Sequence, residues 1–304
     1  MLQWSQIKAC EYKGDTMNSS KLKMIVSMTI FGTIGIFVNF INMPSSVIAV
    51  CRGFTGALFL CLFMLLTGKK INFSDIKKNF VKLVITGCFI GINWILLFES
   101  YKYIGVANGT LCYYLEPVIL VFGAAVLYKE KISPMKAVCV AIALVGMVFV
   151  SGVFPPEAGA TLNPVGIALG LGAALFYASV VLLNRGIKNI DSFNMTMVQL
   201  FFAALVALPY VLVTEDVTKL SFDVQSVILL LVVGIIHTGF TYALYFDAVR
   251  ELNSQSVAIF SYVDPMVAIV LSMTPLLGEE LTVWGILGAV MILGSTLVSE
   301  LKKQ

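Results

Sequence analysis

The sequence predicts an all-α polytopic membrane protein of ten transmembrane helices, arranged as two inverted five-helix repeats. Three observations predict it. The 304 residues are 59 % hydrophobic and only 12 % charged, with a mean hydropathy of +0.94, whereas soluble chains carry about 25 % charge. The apolar residues fall into long runs with short turn-forming breaks. The second half of the chain then repeats landmarks of the first at an offset of 148 positions.

The spans can be placed in order. Ten apolar segments lie near 22–41, 45–66, 80–98, 104–127, 135–153, 164–184, 192–213, 224–246, 253–275 and 281–299. Each approaches the ~20 residues that cross a ~30 Å hydrocarbon core at ~1.5 Å per residue. Lys21 and Lys23 lead straight into the first run with no small-residue cleavage site, so that run is expected to stay as the first span, behind a tail of residues 1–21. The breaks carry turn chemistry: Asn42-Met43-Pro44, Thr67-Gly68, Ser133-Pro134, Pro155-Pro156, Asn163-Pro164 and Gly278. In lipid each span must satisfy its own backbone. The runs lack the alternation of a barrel strand, so helices are the expected solution. The organisation is then 22–153 for one five-helix repeat, 164–299 for the other, and 300–304 for a C-terminal tail.

Lysine and arginine set the orientation. With the N-terminus inside, all 20 of them fall in inner segments except Arg52, Lys102 and Lys219. Both termini are therefore expected in the cytoplasm, with the protein in the plasma membrane.

The duplication rests on matched positions. Gly91 matches Gly239, Trp94 matches Tyr242, Phe98 matches Phe246, Glu99 matches Asp247 and Lys102 matches Arg250. Tyr114-Leu115-Glu116-Pro117 then matches Tyr262-Val263-Asp264-Pro265. Five spans per repeat is an odd number, so the copies must lie in opposite orientations. The loop 128–136 carries three lysines, Lys129, Lys131 and Lys136, and its counterpart 276–281 carries none, as inversion requires. A carboxyl group mid-membrane costs roughly 3 kcal/mol on insertion scales. Two of them at equivalent places point to a midplane site between inverted repeats, the plan of secondary transporters.

Ten spans as five plus five, proline-centred fourth and ninth helices, and Glu130 and Glu279 just after them, each before a glycine-rich span, resemble the drug/metabolite transporter superfamily and its ten-helix EamA-type members. The resemblance covers about residues 22–300. It implies a central cavity lined by both repeats, and export of amino acids or related metabolites. Arg52 has Gln199 near its counterpart position, so its role is not duplicated.

Substrate-binding or coupling candidates follow. Glu116 shares a helical face with Asn108, Cys112 and Tyr113; Asp264 shares one with Ser256, Ser261 and Ser272. The acids read either as a proton- or substrate-binding pair, or as neutral groups bonded to backbone freed by Pro117 and Pro265. The guanidinium of Arg52 suits a substrate carboxylate, neutralisation of Glu116, or snorkelling to the surface. His237, the sole histidine, reads as a proton relay or as a neutral inter-helix bond. Asn93, Trp94, Tyr113, Tyr114, Tyr242 and Tyr262 offer aromatic faces with polar tips for a mid-sized solute. Glu99/Lys102 and Asp247/Arg250 read as solvated i,i+3 pairs or as gate latches. Glu130, Glu279 and Glu280 read as helix-terminus residues. The cysteines read as packing residues, and Gly166/Gly170 and Gly285/Gly288 as close-packing steps.

No nucleotide-binding loop, HExxH, GxSxG or metal-type cysteine spacing occurs, which disfavours a primary pump, an enzyme, a cofactor or a metal site. The expected function is a secondary transporter for a small organic solute, with an amino acid foremost. A nucleobase or other metabolite permease and a channel-like facilitator are the other readings. Expected partners are that substrate, protons and membrane lipid, with no nucleic acid.

Overall fold

The computed structural model describes residues 2–150, 163–216, 218, 220, 222–272 and 283–301. Among these, the chain is helical throughout, with no strand. The helices are α1 Leu2–Asn39, α2 Ser45–Leu66, α3 Phe73–Tyr113, α4 Glu116–Tyr128, α5 Pro134–Val150, α6 Pro164–Arg185 and α7 Ser192–Thr214. They continue with α8 Val224–Val232, a π-helical segment Val233–Phe240, α9 Thr241–Glu251, α10 Ser254–Ser261, α11 Val263–Ser272 and α12 Val283–Leu301. Among the described residues, six runs are long and apolar enough to cross a membrane: Ser19–Asn39, Ser45–Leu66, Phe73–Ile104, Pro164–Arg185, Ser192–Thr214 and Val224–Glu251.

Two boundaries differ from expectation. The segment expected as a polar tail is already helical from Leu2, and no proline interrupts the run to Asn39. Helical backbone also continues through the expected break near residue 100. The chain nevertheless reverses there. In a straight helix, nine residues span about 13 Å, yet the Tyr101 and Thr110 hydroxyls meet at 3.1 Å. Gly109 lies against the Tyr101 ring, where a Cβ would come within 2.6 Å of Cδ1.

Side-chain bonds show which helix ends meet. At one end, Lys23 reaches Asp247, Asn79 reaches the Lys188 carbonyl, Arg185 reaches Glu130, and Gln255 reaches the Lys131 carbonyl. At the other, the Asn42 amide meets Ser226, Ser46 meets Glu215, and Lys102 meets Tyr210. The lysine-rich end thus gathers the middle of α1, where its apolar run Ser19–Asn39 begins, the starts of α3, α7 and α10, and the ends of α4, α6 and α9. Helix packing pairs α3 with α6 and α7, α2 with α7 and the π segment, α1 with α9 and α11, α4 with α6 and α10, and α5 with α12.

Many large apolar side chains are exposed: Leu66 and Val213 are each 86 % exposed and Val126 is 78 % exposed. Such a surface suits lipid and would be an aggregation liability in water. Inside, small residues let backbones touch. A Cβ on Gly91 would lie 2.5 Å from the Ala203 carbonyl oxygen, and one on Gly56 would lie 3.0 Å from the Gly239 nitrogen. Gly166 packs on Ile104 and Gly170 on Cys112, so that glycine step serves contacts within the chain. Gly285 lies outside the described side chains. Because backbone cannot move aside, Gly91→Leu should destabilise by more than the ~1–3 kcal/mol of ordinary overpacking. Gly35→Leu, with nothing within 4 Å of its Cβ, is the matched control and should be neutral. Thermal unfolding of both variants in one detergent checks this.

The five described cysteines, Cys51, Cys61, Cys88, Cys112 and Cys139, are all free thiols, with Cys139 fully buried and the rest half-buried.

Candidate functional site

The site begins with two prolines. Pro117 has no N–H to give to the Tyr113 carbonyl, so α3 stops at Tyr113 and α4 starts at Glu116. The Leu115 amide bonds back to Cys112 at 3.3 Å, and Val118 and Ile119 restart on the Leu115 carbonyl at 3.0 and 3.1 Å. Pro265 acts alike: α10 stops at Ser261 and α11 begins at Val263, with the Tyr262 amide on Ile259 at 3.2 Å. Each acidic residue therefore sits in the first turn of a half-helix inside an apolar region. The positive end of the helix dipole lies there, which favours negative charge. The two broken stretches meet where α10 packs on α4.

The two carboxyl groups have different neighbours. Glu116 is 4 % exposed, and its Oε1 is buried with no hydrogen-bond partner. Tyr113, Tyr177, Tyr245 and Tyr262 lie within its electrostatic reach. Asp264 is half-buried, and its reach takes in Tyr101, Tyr113, Tyr114 and Tyr242. The rings are in mutual contact: Tyr113 is 5.9 Å from Tyr177, Tyr177 is 6.4 Å from Tyr245, and Phe31 of α1 is 5.0 Å from Tyr242.

Arg52 enters from α2. Its guanidinium carbon lies 4.6 Å from the centre of the Trp94 ring, a cation–π contact. Its Nε is buried without a partner. Among the described residues it forms no ion pair with Glu116 or Asp264. The pairing with Glu116 that the sequence left open is therefore not formed in this structure. Arg52 and Asp264 instead share two neighbours, Tyr101 and Tyr242, each of which feels both charges. Trp94 and Tyr242, matched across the halves of the sequence, thus stand at the same place.

The remaining candidates separate. His237 lies on the π segment, with Nε2 2.8 Å from the Thr33 hydroxyl of α1 and its ring 4.8 Å from Phe37. It sits as an inter-helix bond, with Nδ1 unpartnered. Asn93 donates to the Ala173 carbonyl at 2.7 Å and ties α3 to α6. Tyr262 is fully buried beside Met147, Met266 and Ile292, with Tyr114 packed against that cluster, and its hydroxyl has no partner. Glu130 is held by Arg185 at 2.5 Å. Glu279 and Glu280, and the side chain of Asn108, lie outside the described residues.

One expected pair is corrected. Glu99 and Lys102 do form their i,i+3 bridge at 2.8 Å, with Tyr210 bonded to both. Asp247 does not pair with Arg250. It takes Lys23 at 2.6 Å and the Ser192 hydroxyl at 2.8 Å, while Arg250 donates to the Ile190 carbonyl at 2.7 Å. Asp247 stands where α1 and α7 both approach α9, so partners from other helices outcompete the local one.

Tyr101, Tyr177, Phe31 and Thr33 were not singled out by the sequence. Matching at the 148-residue offset could not find them, because each faces a dissimilar residue in the other half: Val249 for Tyr101, Thr29 for Tyr177.

The sequence matches the EamA-like transporter family over residues 19–152 and 164–300. The chain belongs to that family, and it is a membrane transporter protein by family. A Bacillus subtilis (strain 168) relative, "Uncharacterized transporter YxxF", is 30 % identical over 94 % of this chain and 91 % of its own length. "Uncharacterized transporter YoaV" of the same organism is 22 % identical over 83 % of this chain and 85 % of its own. An "Uncharacterized transporter" of Archaeoglobus fulgidus (strain ATCC 49558 / DSM 4304 / JCM 9628 / NBRC 100126 / VC-16) is 25 % identical over 82 % of this chain and 86 % of its own. A solved crystal structure shares the fold with a TM-score of 0.82 at 16 % identity, covering 93 % of this chain and 97 % of the other.

Proposed function

We propose that this protein is a secondary transporter that moves a small organic metabolite, foremost an amino acid, out of the cell by alternating access. The observation that carries the substrate reading is the placement of Arg52 and Asp264. A cation and a carboxylate, not paired with each other, both lie within electrostatic reach of the region around Tyr101 and Tyr242. A zwitterion fits such a space: its carboxylate on the guanidinium fork, its ammonium on Asp264, its side chain among aromatic rings.

The mechanism rests on ten spans in two inverted repeats, for which the pattern of helix ends gives support. The end of α4 and the start of α10 lie at the lysine-rich end, as do the start of α3 and the end of α9. Elements matched in sequence therefore run in opposite directions. The packing also survives exchange of the halves: α3 on α7 corresponds to the π segment on α2, and α4 on α6 to α11 on α1. Broken helices at the centre of such a pair supply half-helix termini for ligands. Glu99 with Tyr210, and Asp247 with Lys23 and Ser192, are matched carboxylates that tie helices at opposite ends. Each is suited to hold one gate shut while the other opens.

Glu116, closed among tyrosines with no ion-pair partner among the described residues, is the coupling carboxyl in this proposal. Burial disfavours an unpaired charge, so a proton is its natural companion. The protein would sit in the plasma membrane, and the lysine distribution supports both termini in the cytoplasm. A membrane-impermeant thiol reagent should label Phe222→Cys and not Asp75→Cys in intact cells.

The deciding experiment is counterflow in proteoliposomes against separate amino-acid and nucleobase pools. Labelled amino acid should accumulate transiently above equilibrium. Exchange of nucleobases alone would replace the zwitterion reading, and free leak of the solute without counterflow would indicate a channel.

A further inference from the structure

We propose that the lysine-rich end of this protein carries a binding site for an anionic phospholipid headgroup, seated between Lys69 and Lys70. The site is a cavity of about 570 Å³, away from the tyrosine-walled centre. The connection between α2 and α3, Lys23 of α1, the start of α7 and one face of the π segment and α9 enclose it.

Its charges do not cancel. Three lysines and two aspartates line it. Asp247 is engaged by Lys23 at 2.6 Å and by Ser192 at 2.8 Å. Asp191 is engaged as the cap of α7, accepting from the Phe193 and Asn194 amides and from the Asn194 side chain. Lys69 and Lys70 meet no carboxylate within 4.0 Å among the described residues. Lys69 is nevertheless held in place: its ammonium lies 4.0 Å from the centre of the Phe193 ring and 5.9 Å from that of Phe63. Aromatic faces position a cation and leave its charge intact. Lys69 and Lys70 thus face one cavity without an ion-pair partner, and its lining, three lysines against two aspartates, keeps a net charge of +1.

The rest of the wall is apolar. Phe240 and Leu244 lie one helical turn apart and line the cavity. Phe240 is 39 % exposed and adjoins the outward-facing Ile236, 45 % exposed, so the wall continues onto the lipid-facing surface. A small inorganic ion would use the lysines and leave this wall wet. A phospholipid uses both, with its phosphate on Lys69 and Lys70 and its first acyl carbons on Phe240 and Leu244. The depth also suits a headgroup, because Lys69 and Lys70 follow directly on the end of α2 at Leu66.

Reconstitution in nanodiscs tests this. Thermal unfolding is followed as phosphatidylglycerol is titrated into phosphatidylcholine discs. The expected result is saturable stabilisation of the wild type. Near a surface each lysine contributes about 1 kcal/mol toward an anionic lipid, about fivefold in affinity. The Lys69→Gln/Lys70→Gln variant should therefore need more than ten times as much phosphatidylglycerol, with its unfolding in pure phosphatidylcholine unchanged. Lys77→Gln/Lys78→Gln, at the same end and outside the cavity, should shift the titration much less than the Lys69/Lys70 change; an equal shift would overturn the site. Phe240→Ala, which keeps both lysines, should weaken the response severalfold and guards against misfolding of the lysine variant. Identical titration of the wild type and the Lys69/Lys70 variant would overturn the site. Equal stabilisation by inorganic phosphate in phosphatidylcholine discs would overturn the lipid and leave a free-anion site.

Discussion

Glu116→Gln is expected to abolish pH-driven accumulation of substrate, at least tenfold below wild type, while leaving exchange across the membrane intact. Glutamine keeps the shape of the side chain and cannot take up or release a proton. It is the cleaner substitution because Glu116 Oε1 has no hydrogen-bond partner to lose. Asp264→Asn should behave differently. Asp264 shares Tyr101 and Tyr242 with Arg52, so its loss removes the anchor for an ammonium. A hydrogen bond to a charged group contributes about 1.5–3 kcal/mol, and the variant should raise the substrate KM about 10- to 100-fold in driven uptake and in exchange alike. Proteoliposomes with an imposed pH gradient, and the same vesicles in exchange without one, separate the two outcomes. Unchanged pH-driven accumulation in Glu116→Gln would remove that residue from coupling. Loss of exchange in the same variant would make it part of substrate binding.

That division of labour was not legible in the sequence, where the two acid-proline motifs look equivalent. Hydropathy reveals the apolar helices, because lipid requires each segment to satisfy its own backbone, and the lysine distribution sets the expected sidedness. The breaks at Pro117 and Pro265 were legible for the same local reason, the missing N–H. What surrounds each acid is a tertiary property. Tyr177 comes to Glu116 from α6, and Tyr101 comes to Asp264 because the chain reverses just after it within a helical run. The reversal itself was expected from the separate apolar runs 80–98 and 104–127; which rings it brings together depends on packing and was not. The π segment was hidden likewise: the Thr238 and Thr241 hydroxyls donate to carbonyls five residues back, at Val233 and Ile236, and Gly234 and Gly239 pack closely against α2. The Asp247 pairing failed through the same blind spot, a partner 224 positions away.

Arg52→Lys is expected to be the most selective change. Lysine keeps the positive charge and can still lie over Trp94, now 4.6 Å from the guanidinium carbon. It loses the planar fork that grips a carboxylate at two points. Transport of amino acids should therefore weaken by about 10- to 100-fold in KM, the scale of one charged hydrogen bond. Transport of an uncharged solute such as a nucleobase should be untouched. Arg52→Ala should remove amino-acid transport altogether, and should do so without the collapse that follows loss of a buried ion-pair partner. The reason is geometric: Arg52 is not paired with either acid, so its removal strands no carboxylate that it had been neutralising. Folding is checked by the thermal midpoint in detergent, and selectivity by competition among amino acids, their amides and nucleobases. An amino-acid amide, which lacks the carboxylate, should compete poorly for transport by the wild type. Equal amino-acid transport by wild type and Arg52→Ala would end the zwitterion model, because nothing else described at this site offers a carboxylate a cation.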